Sequence, residues 1–374
     1  GLGDVYKRQV INNICYSMKI CVVGTRGFPE TQGGVEKHCE ILYTTMGKQC
    51  PVEIFVYRRK PYIVCTPKYK NIHFVDLPST RIKGVEAVIH SFLATCASII
   101  KRPDVIHYHN IGPAMFSPLA RLFGVKVVMT YHSANYEHKK WGKIAQLLLK
   151  ISEKIALSCS NEVIFVNKYQ MQKSPQKYIS KYVYIPNGIP DTRILQSLDF
   201  IHSLGLERKK YILAVGRITP EKGFDLLIKA FAKVNTDYKL VIAGGVETEI
   251  GYMEELKQLI KPERIVFAGF TVGDKLSQLY SNAGLFVLSS RNEGFPIVLL
   301  EAMAYGLDVL VSDIPATHLV DLNKDDYFDL KDEKSLVQGI IRKLTNNSSR
   351  AYNLIDFDWK KITQKVYQIY QSLR

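Results

Sequence analysis

The 374-residue chain has no apolar run near the ~20 residues that a membrane-spanning helix needs. It has no C-x-x-C pair. Its seven cysteines (Cys15, Cys21, Cys39, Cys50, Cys65, Cys96 and Cys159) leave the second half without one. That argues for a reducing cytoplasm, with neither a zinc site nor a disulfide framework expected. No G-x-G-x-x-G follows the first strand, so the nicotinamide-dinucleotide fingerprint is missing. No self-similarity recurs every 20–50 residues, which excludes a solenoid. Neither an aromatic stacking platform nor a recognition motif accompanies the basic residues, so no nucleic-acid partner is expected. The opening "GLGDVYKRQVINNICYS" lacks the apolar core of a signal peptide. Met18 begins "MKICVVG", a strand that reads like a natural start, and residues 1–17 are expected to be a non-native or disordered extension outside the fold.

What is present suits a folded protein. The apolar fraction is 47% and the charged fraction 23%, and at ~150 residues per domain the length predicts two domains, or three. Charge is unevenly distributed. Residues 18–185 hold 24 Lys/Arg against 10 Asp/Glu, a net +14, whereas residues 186–374 hold 24 of each. A one-sided basic domain suggests an anionic partner such as phospholipid or a phosphorylated acceptor. A generally basic proteome would also raise the charge, but the neutral second half argues against it.

The first half alternates apolar runs with amphipathic ones. Strands are predicted at 19–24, 52–57, 72–77, 105–109, 125–132 and 162–167, and helices at 34–46, 84–100 and 141–158. The second half repeats the scheme, with strands at 211–216, 238–245, 264–270, 285–290 and 308–313 and helices near 223–233, 251–260, 274–282 and 296–305. Strand–helix alternation means βαβ units on parallel sheets. The fold class is therefore α/β, two doubly wound domains in tandem, joined at the turn-rich "YIPNGIPD" (184–191). A last amphipathic helix, 358–371, presents Ile362, Val366 and Ile369.

Ligands of doubly wound domains bind outside the carboxyl ends of the strands, which selects three loops. In "GTRGFPETQGGVEKH" (24–38), Gly33 and Gly34 sit where a helix begins, so backbone there can approach a phosphate. A tight turn that needs glycine explains the pair equally well. In "GRITPEKGF" (216–224), Arg217 and Lys222 flank a strand-to-helix turn and suit a diphosphate, Arg as a fork and Lys as a point charge. A solvated pair is the alternative. In "RNEGFPIVLLEAMAYG" (291–306), Glu293 and Glu301 lie on either side of an apolar run. Paired carboxylates suggest glycoside hydrolysis, but Pro296 suits a first helical position. The amides of Ile297 and Val298 would then face a ligand, and Glu301 could accept from the hydroxyls of a ribose. A buried Glu301 needs a partner in any case.

His132, at the end of "VVMTYH", faces the cleft as an acid/base or polar group, although a lone histidine is commonly structural. His107 and His109 share one strand face and lack further ligands at useful spacing, so no metal site is expected. On the helix from Lys139, the lysines at 139, 143, 150 and 154 border Ile144, Leu147, Leu148, Ile151 and Ile155, with Trp141 at its start. Such a helix suits an anionic membrane surface, or packs on the core with a solvated basic face.

The G-R-x(4)-K-G of residues 216–223 followed by E-G-F-P-I-V-L-L-E-A at 293–302 resembles the retaining, nucleotide-sugar-dependent glycosyltransferases of family 4, which have the GT-B fold. "GTRGFPETQGGVEKH", "HNIGPAMFSPLARLFG" and "TYHSANYEHKKWG" are similar to a bacterial subgroup of capsule, O-antigen and exopolysaccharide assembly with rhamnosyltransferase-like members. The resemblance implies an acceptor-binding domain (18–185), a nucleotide-sugar-binding domain (186–357) and a helix (358–374) that crosses back to the first. It implies that Arg217 and Lys222 neutralise the donor diphosphate and that Glu301 binds the ribose. Glu293 would touch the transferred sugar, aided by the Phe295–Val298 backbone. Gly33 and Gly34 would lie on the phosphate and acceptor side, and His132 would contact sugar and acceptor. The acceptor it implies is a glycan or a polyprenyl-diphosphate-linked glycan, met in the cytoplasm at the inner face of the plasma membrane. No cofactor and no metal are implied, in keeping with the lack of a D-x-D motif at a strand end. The alternative is a catalytically inactive sugar-nucleotide-binding protein. Two departures from the family pattern, Asp308 in place of proline and "SDIPATHLV" without Gly-x-Pro-Glu, are expected to affect a loop near the donor.

Overall fold

A computed structural model describes residues 17–80, 82, 84–134, 142–246, 250–259, 264–346 and 349–374. Expectations for residues 1–16, Lys139 and Trp141 lie outside them.

The first domain comprises β1 (Met18–Val23), α1 (Gly34–Gln49), β2 (Val52–Arg59), β3 (Ile72–Leu77), α2 (Val85–Ile100), β4 (Val105–His109), α3 (Ser117–Leu122), β5 (Lys126–Tyr131), α4 (Lys143–Cys159), β6 (Glu162–Phe165), α5 (Lys168–Lys173) and β7 (Tyr182–Tyr184). The second comprises α6 (Asp199–Ser203), β8 (Tyr211–Val215), α7 (Phe224–Ala232), β9 (Lys239–Ala243), α8 (Ile250–Gln258), β10 (Ile265–Gly269), α9 (Gly273–Asn282), β11 (Leu285–Leu288), α10 (Ile297–Ala304), β12 (Val309–Ser312), β13 (Tyr327–Phe328) and α11 (Glu333–Thr345). The chain ends in α12 (Trp359–Ser372).

Both sheets are parallel throughout. Their orders are β3-β2-β1-β4-β5-β6-β7 and β10-β9-β8-β11-β12-β13. Each sheet reverses direction beside its first strand, at β1/β4 and at β8/β11. A doubly wound sheet opens its binding crevice at such a reversal, beyond the carboxyl ends. The strands are apolar on both faces because helices cover both. Along β1, Ile20 and Val22 enter one core layer and Cys21 and Val23 the other. Along β8, Tyr211 and Leu213 alternate in the same way with Ile212 and Ala214.

The last helix docks on the first domain. Trp359, Ile362, Val366 and Tyr370 are buried in the layer that also holds Leu42, Tyr43 and Met46 of α1. At roughly 1.5–3 kcal/mol per fully buried large side chain, these four hold the crossing by several kcal/mol. The 184–191 join runs beside this return, with the Ile189 amide donating to the Phe357 carbonyl at 2.8 Å. Two chain segments therefore pass side by side between the domains. The short strands β7 and β13 and the helix α11 had no counterpart among the sequence-based elements.

Candidate active site

The loops after β1, β5, β8 and β11 line one cleft of about 820 Å³ between the two domains. Arg217, Lys222, Glu293, Glu301, Gly33, Gly34 and His132 all border it, as do Phe295, Ile297 and Val298.

On the second domain, the Pro220–Lys222 turn is fastened to the loop after β11. The Ser289 hydroxyl donates to the Lys222 carbonyl at 2.9 Å, and the Arg291 amide donates to the Glu221 carbonyl at 2.7 Å. The Arg291 guanidinium grips both Asp225 carboxylate oxygens (2.8 and 2.7 Å) and the Pro220 carbonyl (2.6 Å). This fork fixes where Lys222 emerges. The Lys222 ammonium meets Glu293 Oε1 at 2.6 Å, and the Ser290 hydroxyl donates to the same oxygen at 2.6 Å. Lys222 and Glu293, assigned to different parts of a ligand from sequence, are thus direct neighbours. Lysine has three donors, so this pairing leaves capacity for a phosphate. Arg217, half-buried just past β8, borders the same space.

Glu301 lies in the second turn of α10, only 9% exposed, and accepts from the Tyr280 hydroxyl at 2.8 Å. Tyr280 stacks on Tyr305 at 5.2 Å between ring centres. Burial pushes the Glu301 carboxyl up, opposed by the Tyr280 hydrogen bond and by the charge of Lys37 on α1. The helix begins one residue later than expected. Pro296 adopts φ −80° and ψ 86°, and the Ile297 amide donates back to the Phe295 carbonyl at 3.0 Å. This is an inverse γ-turn, so the Ile297 amide expected to face a ligand is already engaged.

On the first domain, the two glycines separate in role. Gly33 has φ +149°, and a Cβ there would sit 2.1 Å from Glu36 Oε2, so the turn itself demands glycine. Glu36 is anchored by Arg26, whose Nε lies 3.2 Å from Oε1. Gly34 has no such neighbour: a Cβ there would meet open space. Its bareness is not required by packing and leaves the α1 N-terminus open to the cleft.

His132 follows β5 and is 7% exposed. Its Nε2 is 3.0 Å from His109 Nδ1, and its ring stands edge-on to His38 of α1 at 4.7 Å. His109 Nε2 in turn meets the Tyr43 hydroxyl at 2.7 Å, which reaches His107 Nδ1 at 2.9 Å. His107 also contacts the Tyr370 hydroxyl of α12 and, through Nε2, Thr130 Oγ1 at 2.7 Å. Burial drives the rings of His107, His109 and His132 well below the ordinary histidine range, helped by their neighbouring imidazoles. Burial likewise pushes His38 down to about 4. Sequence spacing showed only the His107/His109 pair. The fold adds His38 and His132 from two other elements, which no local pattern announces.

The two walls touch at Gly294. A Cβ there would lie 2.0 Å from the His132 carbonyl oxygen, so glycine lets the Glu293 loop rest directly on the first domain. The Asn167 side-chain amide donates to the Gly294 carbonyl at 2.7 Å and secures the contact.

One expectation is overturned. Asp308 does not border the donor side: it precedes β12 and so lies at the sheet end opposite the cleft. It is buried, paired with Lys343 at 2.8 Å and Arg350 at 3.2 Å, and both cations also bind Asp326. A proline could not supply that carboxylate. The substitution belongs to a buried charge cluster and has no contact with the cleft.

Two facing Rossmann-like domains with such a cleft define the GT-B fold of glycosyltransferases. The comparisons agree. The sequence model described as "Glycosyltransferase Family 4" matches residues 32–193, and that described as "Glycosyl transferases group 1" matches residues 199–354. An uncharacterized glycosyltransferase of Methanocaldococcus jannaschii is 33% identical over 95% of this chain and 98% of its own length. The Escherichia coli O-antigen biosynthesis glycosyltransferase WclY is 26% identical over 73% of this chain and 80% of its own. The crystal structure of Anabaena HepE in complex with UDP-glucose superposes with a TM-score of 0.74 at 18% identity, covering 95% of this chain and all of that one. The chain belongs to the GT-B glycosyltransferases of family 4.

Proposed function

We propose that this chain is a retaining glycosyltransferase that moves a hexosyl or deoxyhexosyl group from a nucleotide-diphosphate sugar to a glycan or polyprenyl-diphosphate-linked glycan in bacterial surface polysaccharide synthesis. The observation that carries this reading is the convergence of Lys222, Glu293 and Glu301 on one cleft wall, with Arg217 beside them. Arg217 and Lys222 neutralise the departing diphosphate, and Glu301, held by Tyr280, accepts from the ribose hydroxyls. Glu293 touches the hydroxyls of the sugar. His132 contacts sugar and acceptor from the opposite wall.

The C1–O bond to the phosphate breaks while the acceptor oxygen bonds C1 from the same face, and the acceptor proton passes to the leaving phosphate oxygen. The demand on the protein is charge stabilisation at that phosphate. Transfer needs no metal ion. HepE binds UDP-glucose, so UDP-hexoses head a thermal-shift screen that also includes GDP- and dTDP-sugars. Stabilisation by one of these, followed by transfer with an α-configured donor giving an α-linked product, is the expected result. No response to any nucleotide sugar refutes the donor assignment, and an inverted product refutes retention.

The acceptor's lipid anchor suits the α2–α4 face. Ile144, Leu147, Leu148 and Ile151 of α4 are 47–78% exposed rather than packed on the core, beside exposed Lys143, Lys150 and Lys154. Val88, Ile89 and Phe92 of α2 are also exposed, and Phe92 meets Phe116 at 5.6 Å. We infer that this face rests on the anionic inner leaflet of the plasma membrane. Among the described residues no helix is long and apolar enough to cross it. The whole protein should float with anionic liposomes at low salt, and a Leu147→Glu, Leu148→Glu variant should not.

A further inference from the structure

We infer that His38, His109 and His132 form a binding site for one zinc-class transition-metal ion beneath the cleft floor, and that its occupation inhibits transfer. One ring nitrogen from each of the three lies within 4.8 Å of the others, and all three residues are buried. They come from α1, from the end of β4 and from the loop after β5, so the scaffold fixes their relative positions.

The decisive observation is at His38. Its Nδ1 lies 2.6 Å from Asn187 Oδ1. A side-chain carbonyl oxygen only accepts, so Nδ1 carries the proton and Nε2 holds a bare lone pair. That Nε2 is buried on a side chain 3% exposed and has no hydrogen-bond partner. The hydrogen bonds of the other rings run to one another and to Tyr43, Tyr370 and Thr130, and among the four rings His38 Nε2 alone is a buried nitrogen without a partner among the described residues. A buried polar atom without a partner calls for an explanation such as an ion.

The surroundings suit a metal. Ligating histidines commonly give their second ring nitrogen to an oxygen partner that fixes the ring. Asn187 does this for His38 and the Tyr43 hydroxyl does it for His109, at 2.6 and 2.7 Å. Zinc takes imidazole nitrogens at about 2.0–2.1 Å, and tetrahedral geometry then sets them roughly 3.4 Å apart. His109 Nδ1 and His132 Nε2 are already at 3.0 Å. Small ring movements complete the set, with the proton of the His109–His132 hydrogen bond moving to His132 Nδ1 so that both facing nitrogens present lone pairs. Three neutral nitrogens with a fourth position open are the donor set of an exchangeable rather than a sealed site. His132 borders the cleft, which supplies the way in. The ion is not required for transfer: it would immobilise His132 and place a dication where sugar and acceptor meet. That inhibitory consequence rests on the transfer reaction proposed above, whereas the site itself does not.

The test is equilibrium dialysis of the whole protein, its exposed thiols alkylated, against Zn²⁺, with Co²⁺ absorption to report coordination. One ion per chain is expected, with affinity lowered ~100-fold or more by His38→Gln, while UDP-dependent thermal stabilisation persists. If His38→Gln fails to fold, Asn187→Leu frees the His38 ring and should weaken binding ~10-fold. Absence of stoichiometric binding, or binding indifferent to both variants, overturns the site. Zn²⁺ should inhibit transfer by the parent, reversibly with EDTA, and not by His38→Gln. Transfer unaffected in the loaded protein overturns the inhibitory role. A protein that binds the ion but transfers no sugar refutes the proposed reaction and leaves the site standing.

Discussion

Lys222→Ala is the sharpest perturbation of the cleft. The side chains of Lys222 and Glu293 are only 19% and 10% exposed and meet at 2.6 Å, so a donor diphosphate arriving there meets a pair of net zero charge. Removing the ammonium leaves the Glu293 carboxylate facing the same ligand with the Ser290 hydroxyl for company. A charge-assisted hydrogen bond is worth about 1.5–3 kcal/mol, so donor affinity should fall ~10- to 150-fold. Turnover should fall further, by ~10²–10³, because negative charge grows on the departing phosphate. Loop collapse is not the cause of such a loss. The turn is anchored through the Lys222 and Glu221 carbonyls, which the substitution keeps, and the melting temperature should barely move. Adding Glu293→Gln removes the stranded carboxylate, so the double variant should bind donor more tightly than Lys222→Ala alone, a non-additivity expected of touching residues. Steady-state kinetics and calorimetry with the donor found by thermal shift measure all three. Near-normal turnover of Lys222→Ala would refute the assignment.

Three further outcomes are expected. Glu301→Ala should mainly raise the donor KM and Tyr280→Phe should do so more weakly, whereas Glu293→Ala should mainly lower kcat; the reverse pattern in initial-rate data would exchange their roles. Asp326→Asn strips a carboxylate that is 1% exposed from its two cations and should cost ~3–5 kcal/mol in urea unfolding. Donor affinity should be unchanged, because that cluster lies at the sheet end away from the cleft. His90 is fully buried and its pKa is pushed by burial, and by the charge of Arg59, from 6.5 to about 4. Between those values the unfolded chain takes up a proton that the folded one refuses, so the His90 contribution to stability drops as pH falls from 6.5 and levels off below 4. The His90 share of the loss is about 3 kcal/mol; His38, His107, His109 and His132 add to the same limb, so His90→Leu should make it shallower by that share in a pH series of urea midpoints.

How much of this was legible beforehand follows from the range of each interaction. The two sheets could be read because strands buried on both faces leave unbroken apolar runs, as in "KICVVG" and "LFVLSS". The strands β7 and β13 were missed because three and two residues carry no period to read. The cleft residues could be read because a strand's carboxyl end is itself a position in sequence, and Arg217, Lys222, Glu293 and Glu301 all follow one. What stayed hidden are pairings set by the way strands are ordered in space. Arg291 and Asp225 stand 66 residues apart and still form the fork that aims Lys222. Asp308 looked like a departure near the ligand until Lys343 and Arg350 came to it from beyond the sheet. His38, His109 and His132 show the same limit: they come from three separate stretches of sequence, and only adjacent β4 and β5 with α1 laid over them bring the rings together. Residues whose role depends on one element can be argued from sequence, whereas those whose role is a meeting of three must wait for the fold. The second kind supplies the scaffold behind the cleft, and it is there that substitutions should change activity without touching any ligand.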